Sequence, residues 1–210
     1  MTSVGIIDYG MSNIDSVARA VSECGGTPVI LSDPEKLDSV AAYILPGVGA
    51  FAEGMHHLRT RGFVDALFAE VAGNRIPVLG ICLGMQLFAQ RGFEGSDIGS
   101  AGLSLIRGDV RRLPADERVP HVGWNEVYRR PKNLAADALF AGLEDGRDFY
   151  FVHSYCVIPN EDADWAAETP YGNGFCSALA RDHVWGVQFH PEKSQQAGFQ
   201  ILRNFIETAC

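Results

Sequence analysis

The chain contains no run of Lys or Arg longer than two residues. A continuous basic footprint for a phosphate backbone is therefore missing. The net charge of −9, from 17 basic and 26 acidic residues, argues the same way against nucleic acid as a partner. Long apolar runs are lacking too. The longest uncharged stretches, such as residues 76–90, contain Gly, Pro and Gln and are too short to span a bilayer. No basic segment opens the chain and its first apolar run is interrupted at Asp8, so no signal peptide is expected. The cysteines at 24, 82, 156, 176 and 210 include no CxxC pair and their number is odd. That argues against a disulfide framework and for reduced thiols in a cytoplasmic protein. Neither GxxxxGK[ST] nor GxGxxG occurs, and no cluster has metal-ligand spacing. The expected chemistry therefore uses no cofactor and no metal. Repeats, linkers and low-complexity tracts are absent as well, so residues 1–210 read as one domain.

What is present is ordinary globular composition, 47% hydrophobic and 20% charged. The first half alternates strand and helix signals. Residues 4–9 read as a buried strand. Ile14, Val17, Ala18 and Val21 recur at the helix period over residues 13–24, and Gly25-Gly26 ends that helix. Strands follow at 28–31, 41–45 and 77–81. A short helix capped at Asp33 and helical segments at 51–58, 64–71 and 83–90 alternate with them. This predicts α/β architecture with a parallel sheet between helices. The second half is β-rich, with runs at 103–110, 119–127, 149–157, 165–168, 175–181 and 183–189, and a closing helix at 197–208. Those runs read as antiparallel strands added to the same sheet or as a small sheet beside it.

The sharpest local signal is Gly80-Ile81-Cys82-Leu83-Gly84, a strand-to-helix turn with a nucleophile between glycines. Such a turn strains the central residue, and flanking glycines remove side-chain clashes. It sets the thiol at a helix start, which favours the thiolate, and aims the Leu83 amide where an oxyanion forms. The bland alternative is a buried cysteine between incidental glycines. A thiolate needs a base, and His190-Pro191-Glu192 offers an imidazole with a carboxylate on the same side of an extended segment. Pro46-Gly47-Val48-Gly49 ends another strand and can present bare backbone amides. All three elements fall at strand ends of one inferred sheet, where open α/β folds place ligands.

With Gly80-Ile-Cys-Leu-Gly-Met-Gln86 and Gln188-Phe-His-Pro-Glu192, these blocks resemble the class I (triad) glutamine amidotransferases. Asp8-Tyr-Gly-Met11 with Asn13, Pro120-His-Val-Gly-Trp-Asn125, Tyr150-Phe-Val-His-Ser-Tyr155 and His190-Pro-Glu-Lys-Ser194 are similar, more narrowly, to the glutaminase subunits of imidazole glycerol phosphate synthases, over residues 4–207. The resemblance implies a flavodoxin-like three-layer α/β/α fold with a mixed, mostly parallel central sheet and antiparallel additions. It implies a Cys82, His190, Glu192 triad acting through a γ-glutamyl thioester. It implies an oxyanion hole from Leu83 and the Gly47, Val48, Gly49 segment, and glutamine binding at Gly49, Gln86, Ser154 and Tyr155. It also implies ammonia delivery to a (βα)₈-barrel cyclase in histidine biosynthesis, across a boundary holding Asn13, Trp124, Asn125, Tyr150 and Lys193. Two positions depart from the family pattern. Ser12 stands where a second glycine is usual, at a cost on the order of 1 kcal/mol if its φ is positive. Cys156 stands where a bulky residue is common. Both departures leave room for the alternative of a paralogous glutaminase feeding another amidotransferase, as in surface-sugar biosynthesis.

Overall fold

The computed structural model describes residues 1–114, 117–131 and 133–209. Cys210, one of the thiols expected to be reduced, lies outside them. The strands in chain order are β1 (Ser3–Ile7), β2 (Thr27–Leu31), β3 (Ala42–Gly47), β4 (Val78–Cys82), β5 (Arg91–Gly92), β6 (Ser100–Ala101) and β7 (Gly108–Arg112). They continue as β8 (His121–Arg129), β9 (Arg147–His153), β10 (Tyr155–Pro159), β11 (Trp165–Thr169), β12 (Phe175–Arg181) and β13 (Val184–Val187). The helices are α1 (Ile14–Glu23), α2 (Phe51–Thr60), α3 (Phe63–Phe68), α4 (Leu83–Leu87), α5 (Leu134–Leu139) and α6 (Gln195–Thr208).

A nine-stranded sheet runs β2-β1-β3-β4-β13-β12-β11-β8-β9. Pairing is parallel from β2 to β13 and antiparallel from β13 to β9. A four-stranded sheet, β10-β7-β5-β6, lies beside it. Both arrangements foreseen for the second half therefore occur together.

Alternation along the parallel strands feeds two cores. Ile6, Ile44, Leu79 and Ile81 pack with Val17 and Val21 of α1 and with Ile201, Leu202 and Phe205 of α6. Ile7, Tyr43, Leu45 and Val78 pack on the other face with Phe51 and Met55 of α2 and Phe63 of α3. Successive strand residues face opposite sides, so buried runs such as residues 42–47 supply both layers. Among the described residues no helix is long and apolar enough to cross a membrane.

Several segments differ from their sequence reading, three of them in where an expected element starts or stops. The helix expected over 83–90 ends at Leu87. The strand expected from 103 begins only at Gly108. These two differences have one cause. The amides of Leu103, Ser104 and Ile106 donate to the carbonyls of Leu87, Ala89 and Phe88, so the segment satisfies the end of α4 instead of extending a ladder. The third is the run 149–157, which breaks at Ser154. Its first part, β9, is the edge of the large sheet, and its second, β10, is the edge of the small one. Burial alternates through Phe149, Phe151 and His153 and then changes phase to Cys156 and Val157.

Candidate active site

β4 ends at Cys82, whose backbone holds φ 54° and ψ −109°, a region that non-glycine residues avoid. Close packing maintains it. Gly84, two residues on, sits against the Leu45 carbonyl of β3, and a Cβ there would enter the van der Waals shell of that oxygen. Gly47 pairs in register with Cys82, and a Cβ on it would meet the Tyr9 hydroxyl. The helix that follows, α4, is only 5 residues long. Its dipole is that of little more than one turn, so donors aimed at the sulfur matter more. Gln188 provides one: its Nε2 lies 3.6 Å from Cys82 Sγ.

β13 is the parallel neighbour of β4, with Val187 opposite Ile81. The chain leaving β13 therefore runs past the nucleophile. His190 and Glu192 do not sit on an extended strand as expected. A 3₁₀ turn over Pro191–Lys193 brings them together instead. His190 Nδ1 and Glu192 Oε1 are 2.8 Å apart, and both side chains are 3% exposed. The turn is pinned by the Ser194 hydroxyl, which donates to the His190 carbonyl (2.6 Å) and accepts from the Tyr150 amide (3.0 Å). His190 Nε2 is buried without a hydrogen bond among the described residues. Burial alone would lower the imidazole's pKa. The Cys82 sulfur beside it and the Glu192 carboxylate overcome burial and raise it to about 9.

A cavity of about 460 Å³ opens over the thiol. Val48, Gly49, Leu83, Gln86, Ser154 and Tyr155, all expected at the site, line it. Gly47, opposite Cys82 in the sheet, lines instead the small cleft that holds His190 and Glu192. The Val48 N–H is engaged: it donates to the Met11 carbonyl at 2.8 Å. Gln86 Nε2 donates to the Tyr155 carbonyl (2.8 Å) and to Gln188 Oε1 (2.9 Å). Both of its N–H groups are thus used within the protein.

The residues expected at a subunit boundary separate into groups. Trp124 is half exposed and packs edge-on against Tyr150 at 6.1 Å. Lys193 places its ammonium 5.9 Å from the Tyr150 ring centroid. Asn13 caps α1, and with Lys193, His190 and Glu192 it lines a small cleft behind the triad. Asn125 lies on the opposite face of β8 from Trp124, and its amide is 3.2 Å from His121 inside the chain. Ser12 is not among the residues of positive φ, so the cost considered for it does not arise. Cys156 is buried, which pushes its thiol up to about 12, and it is a free cysteine together with Cys24, Cys82 and Cys176.

Two residues of this site carry no role in the sequence reading. Glu94 lines the cavity and accepts from the first amide of α2 (Phe51 N, 2.8 Å). Gln188 belongs to a quoted motif, but its contact with the sulfur depends on the register of β13 against β4.

The class-I glutamine amidotransferase family model matches residues 5–209. The chain belongs to the class I glutamine amidotransferases. Within the family it falls among HisH sequences. It is 46% identical over 208 residues to the imidazole glycerol phosphate synthase subunit HisH of Moorella thermoacetica, covering 99% of this chain and 95% of that one. It is 42% identical over 205 residues to a subunit HisH 1 of Campylobacter jejuni, covering 97% and 98%. Among solved structures, one titled as a glutamine amidotransferase superposes with a TM-score of 0.76 at 18% identity, covering 98% of each chain. A putative GMP synthase protein from Thermoplasma acidophilum gives 0.71 at 21% identity, covering 100% of this chain and 94% of that one. These likenesses show the amidotransferase fold.

Proposed function

We propose that this chain is the glutaminase subunit of an imidazole glycerol phosphate synthase. It hydrolyses glutamine and passes the ammonia to a cyclase subunit in cytoplasmic histidine biosynthesis. The carrying observation is the strained Cys82, which opens on a cavity walled by Gln86 and Glu94 and has the buried His190–Glu192 pair beside it.

Cys82 Sγ attacks the side-chain carboxamide carbon of glutamine. The oxyanion that forms takes the Leu83 amide and one from the Gly47 to Gly49 segment. His190 carries the proton. Held by Glu192, it delivers that proton to the departing nitrogen as the C–N bond breaks. Ammonia leaves and a γ-glutamyl thioester remains on Cys82. His190 then removes a proton from water, which attacks the thioester, and glutamate and the thiol are released. Glu94 supplies the negative charge that the substrate's α-ammonium needs. Gln86, with both N–H groups engaged, offers its carbonyl oxygen to the same ammonium.

The chain rests in a poorly active state on this reading, because the Val48 N–H is held by Met11. That peptide must turn before it can serve an oxyanion. The outer face of β8 and β9 exposes Val122, Trp124, Tyr128 and Val152, an apolar patch suited to a partner subunit. The test is glutamine hydrolysis by the chain alone and with the cyclase subunit plus its ribonucleotide ligand, using Cys82→Ala as control. Strong stimulation that vanishes in the variant is expected. If the partner has no effect while Cys82→Ala abolishes a basal activity, the chemistry stands and the pathway falls.

A further inference from the structure

At the break between β9 and β10 the Tyr155 carbonyl accepts two hydrogen bonds, from Gln86 Nε2 at 2.8 Å and from His153 Nδ1 at 2.9 Å. A carbonyl only accepts, so both partners donate. That one constraint sets the protons along two chains of side chains. On the first, Gln86 Nε2 also donates to Gln188 Oε1 (2.9 Å), which leaves the Gln188 NH₂ to face Cys82 Sγ. On the second, a neutral His153 with its proton on Nδ1 must accept at Nε2. Its neighbour there is His121 Nδ1 at 3.0 Å, so His121 also carries its proton on Nδ1. His121 Nε2 then accepts from Asn125 Nδ2 at 3.2 Å.

Gln86, Gln188, His121 and His153 are all buried. Rings wedge the two imidazoles: Tyr171 stacks on His121 at 4.1 Å, and Phe175 lies 4.8 Å from His153. Burial holds both rings neutral, lowering the pKa of His121 to about 4 and of His153 to about 3. A corner between two sheets needs no such one-way ordering of protons. On the Gln86–Gln188 branch the same ordering ends with an N–H facing the Cys82 sulfur.

We propose that His153, held in one tautomer by His121, is a positioning residue for the thiol chemistry: it fixes the Tyr155 carbonyl, which orients Gln86 and, through Gln188, aims an N–H at Cys82. The proposal rests on the reading of Cys82 as the nucleophile. His153 also lines the cavity, whereas His121 does not; the role assigned here is its hold on the Tyr155 carbonyl. That hold reaches the sulfur through Gln86 and Gln188.

The test compares His153→Leu, which fills space without a donor, with His153→Asn, whose amide nitrogen takes the place of Nδ1. Loss of one buried hydrogen bond predicts an effect of about tenfold. In the complex with the cyclase subunit, His153→Leu lowers kcat/KM for glutamine by about that factor. It slows site-resolved alkylation of Cys82 by iodoacetamide similarly, and His153→Asn recovers most of both. Imidazole ¹⁵N spectra of the unaltered chain show both His121 and His153 protonated on Nδ1. A folded His153→Leu chain alkylated at the original rate overturns the proposal, and so does an Asn variant no better than Leu. If His153→Leu does not fold, the spectra still decide, because a proton on Nε2 of either ring breaks the chain of donors. Glutamine hydrolysis that survives Cys82→Ala instead removes the nucleophile reading and leaves the tautomers as found.

Discussion

The buried imidazole pair makes the fold acid-labile in a defined window. His121 and His153 stay neutral in the folded chain down to about pH 4 and about pH 3, because burial penalises their charged forms. Unfolded, each protonates near its ordinary value of about 6.5. A group whose folded pKa is depressed contributes stability that is present above the unfolded pKa and lost as pH falls toward the folded one. Each ring therefore costs up to about 1.4 kcal/mol per pH unit below 6.5. From pH 7 to pH 5 the pair together removes on the order of 3 kcal/mol, a large share of the roughly 5–15 kcal/mol of a folded domain. His190 works the other way. Its folded pKa of about 9 is raised, so its contribution is complete below 6.5 and is lost only as pH rises through 9. Over the same window it returns less than about 1 kcal/mol. The assay is urea unfolding at pH 7 and pH 5 of the unaltered chain and of His153→Asn. Carboxylates contribute equally to both and cancel in the comparison. His153→Asn should lose roughly half as much of the histidine-dependent stability, a difference of about 1–2 kcal/mol. Equal losses in the two chains would refute the assignment of a neutral, buried His153.

Other perturbations follow from single contacts. Gly84→Ala forces a methyl into the Leu45 carbonyl; it should cost about 3 kcal/mol or more and abolish glutaminase activity, read by thermal unfolding and turnover together. Gly47→Ala meets a softer obstacle, the Tyr9 hydroxyl, so a cost of about 1–3 kcal/mol should fall when Tyr9→Phe is added, as a double-mutant cycle would measure. Glu94→Gln removes the cavity's carboxylate and should raise the KM for glutamine about ten- to hundredfold with a smaller change in kcat. Trp124→Ala, at a half-exposed position, should leave stability within about 0.5 kcal/mol. It should weaken stimulation by the cyclase about tenfold or more, measured by titrating that partner.

What the sequence made legible was local. The elbow at Cys82 is written in five consecutive residues, and the His190–Glu192 pair in three. The alternation of strands and helices in the first half announced the parallel sheet, since each apolar run there has one period and one stop signal. The second half was less readable because pairing partners decide it. Residues 103–107 carry a strand-like composition but satisfy the end of α4. The break at Ser154 has no glycine or proline to mark it, and the apolar pattern runs through it. Long-range polar contacts were hidden for the same reason. Gln86 and Gln188 are 102 residues apart, His121 and His153 are 32 apart, and Glu94 caps a helix 43 residues earlier. Each is an ordinary polar residue until the sheet order is known.

That order also explains why the site needs both halves of the chain. The nucleophile lies at the end of β4 and the base just past the end of β13, strands about a hundred residues apart but adjacent and parallel in the sheet. Parallel pairing aligns their carboxyl ends. In register, Val187 faces Ile81, so the next residue, Gln188, comes level with Cys82, and the turn at His190 closes over the sulfur. From β13 onward the sheet turns antiparallel, which carries the chain order across to β9 and brings His153 and the Ser154 corner to the other wall of the cavity. A strand shifted by one residue presents its side chains to the opposite face. In β13 such a slip would remove Gln188 and His190 from Cys82 at once. The glycine elbow therefore creates a strained thiol, but the register between β4 and β13 makes that thiol part of a catalytic group.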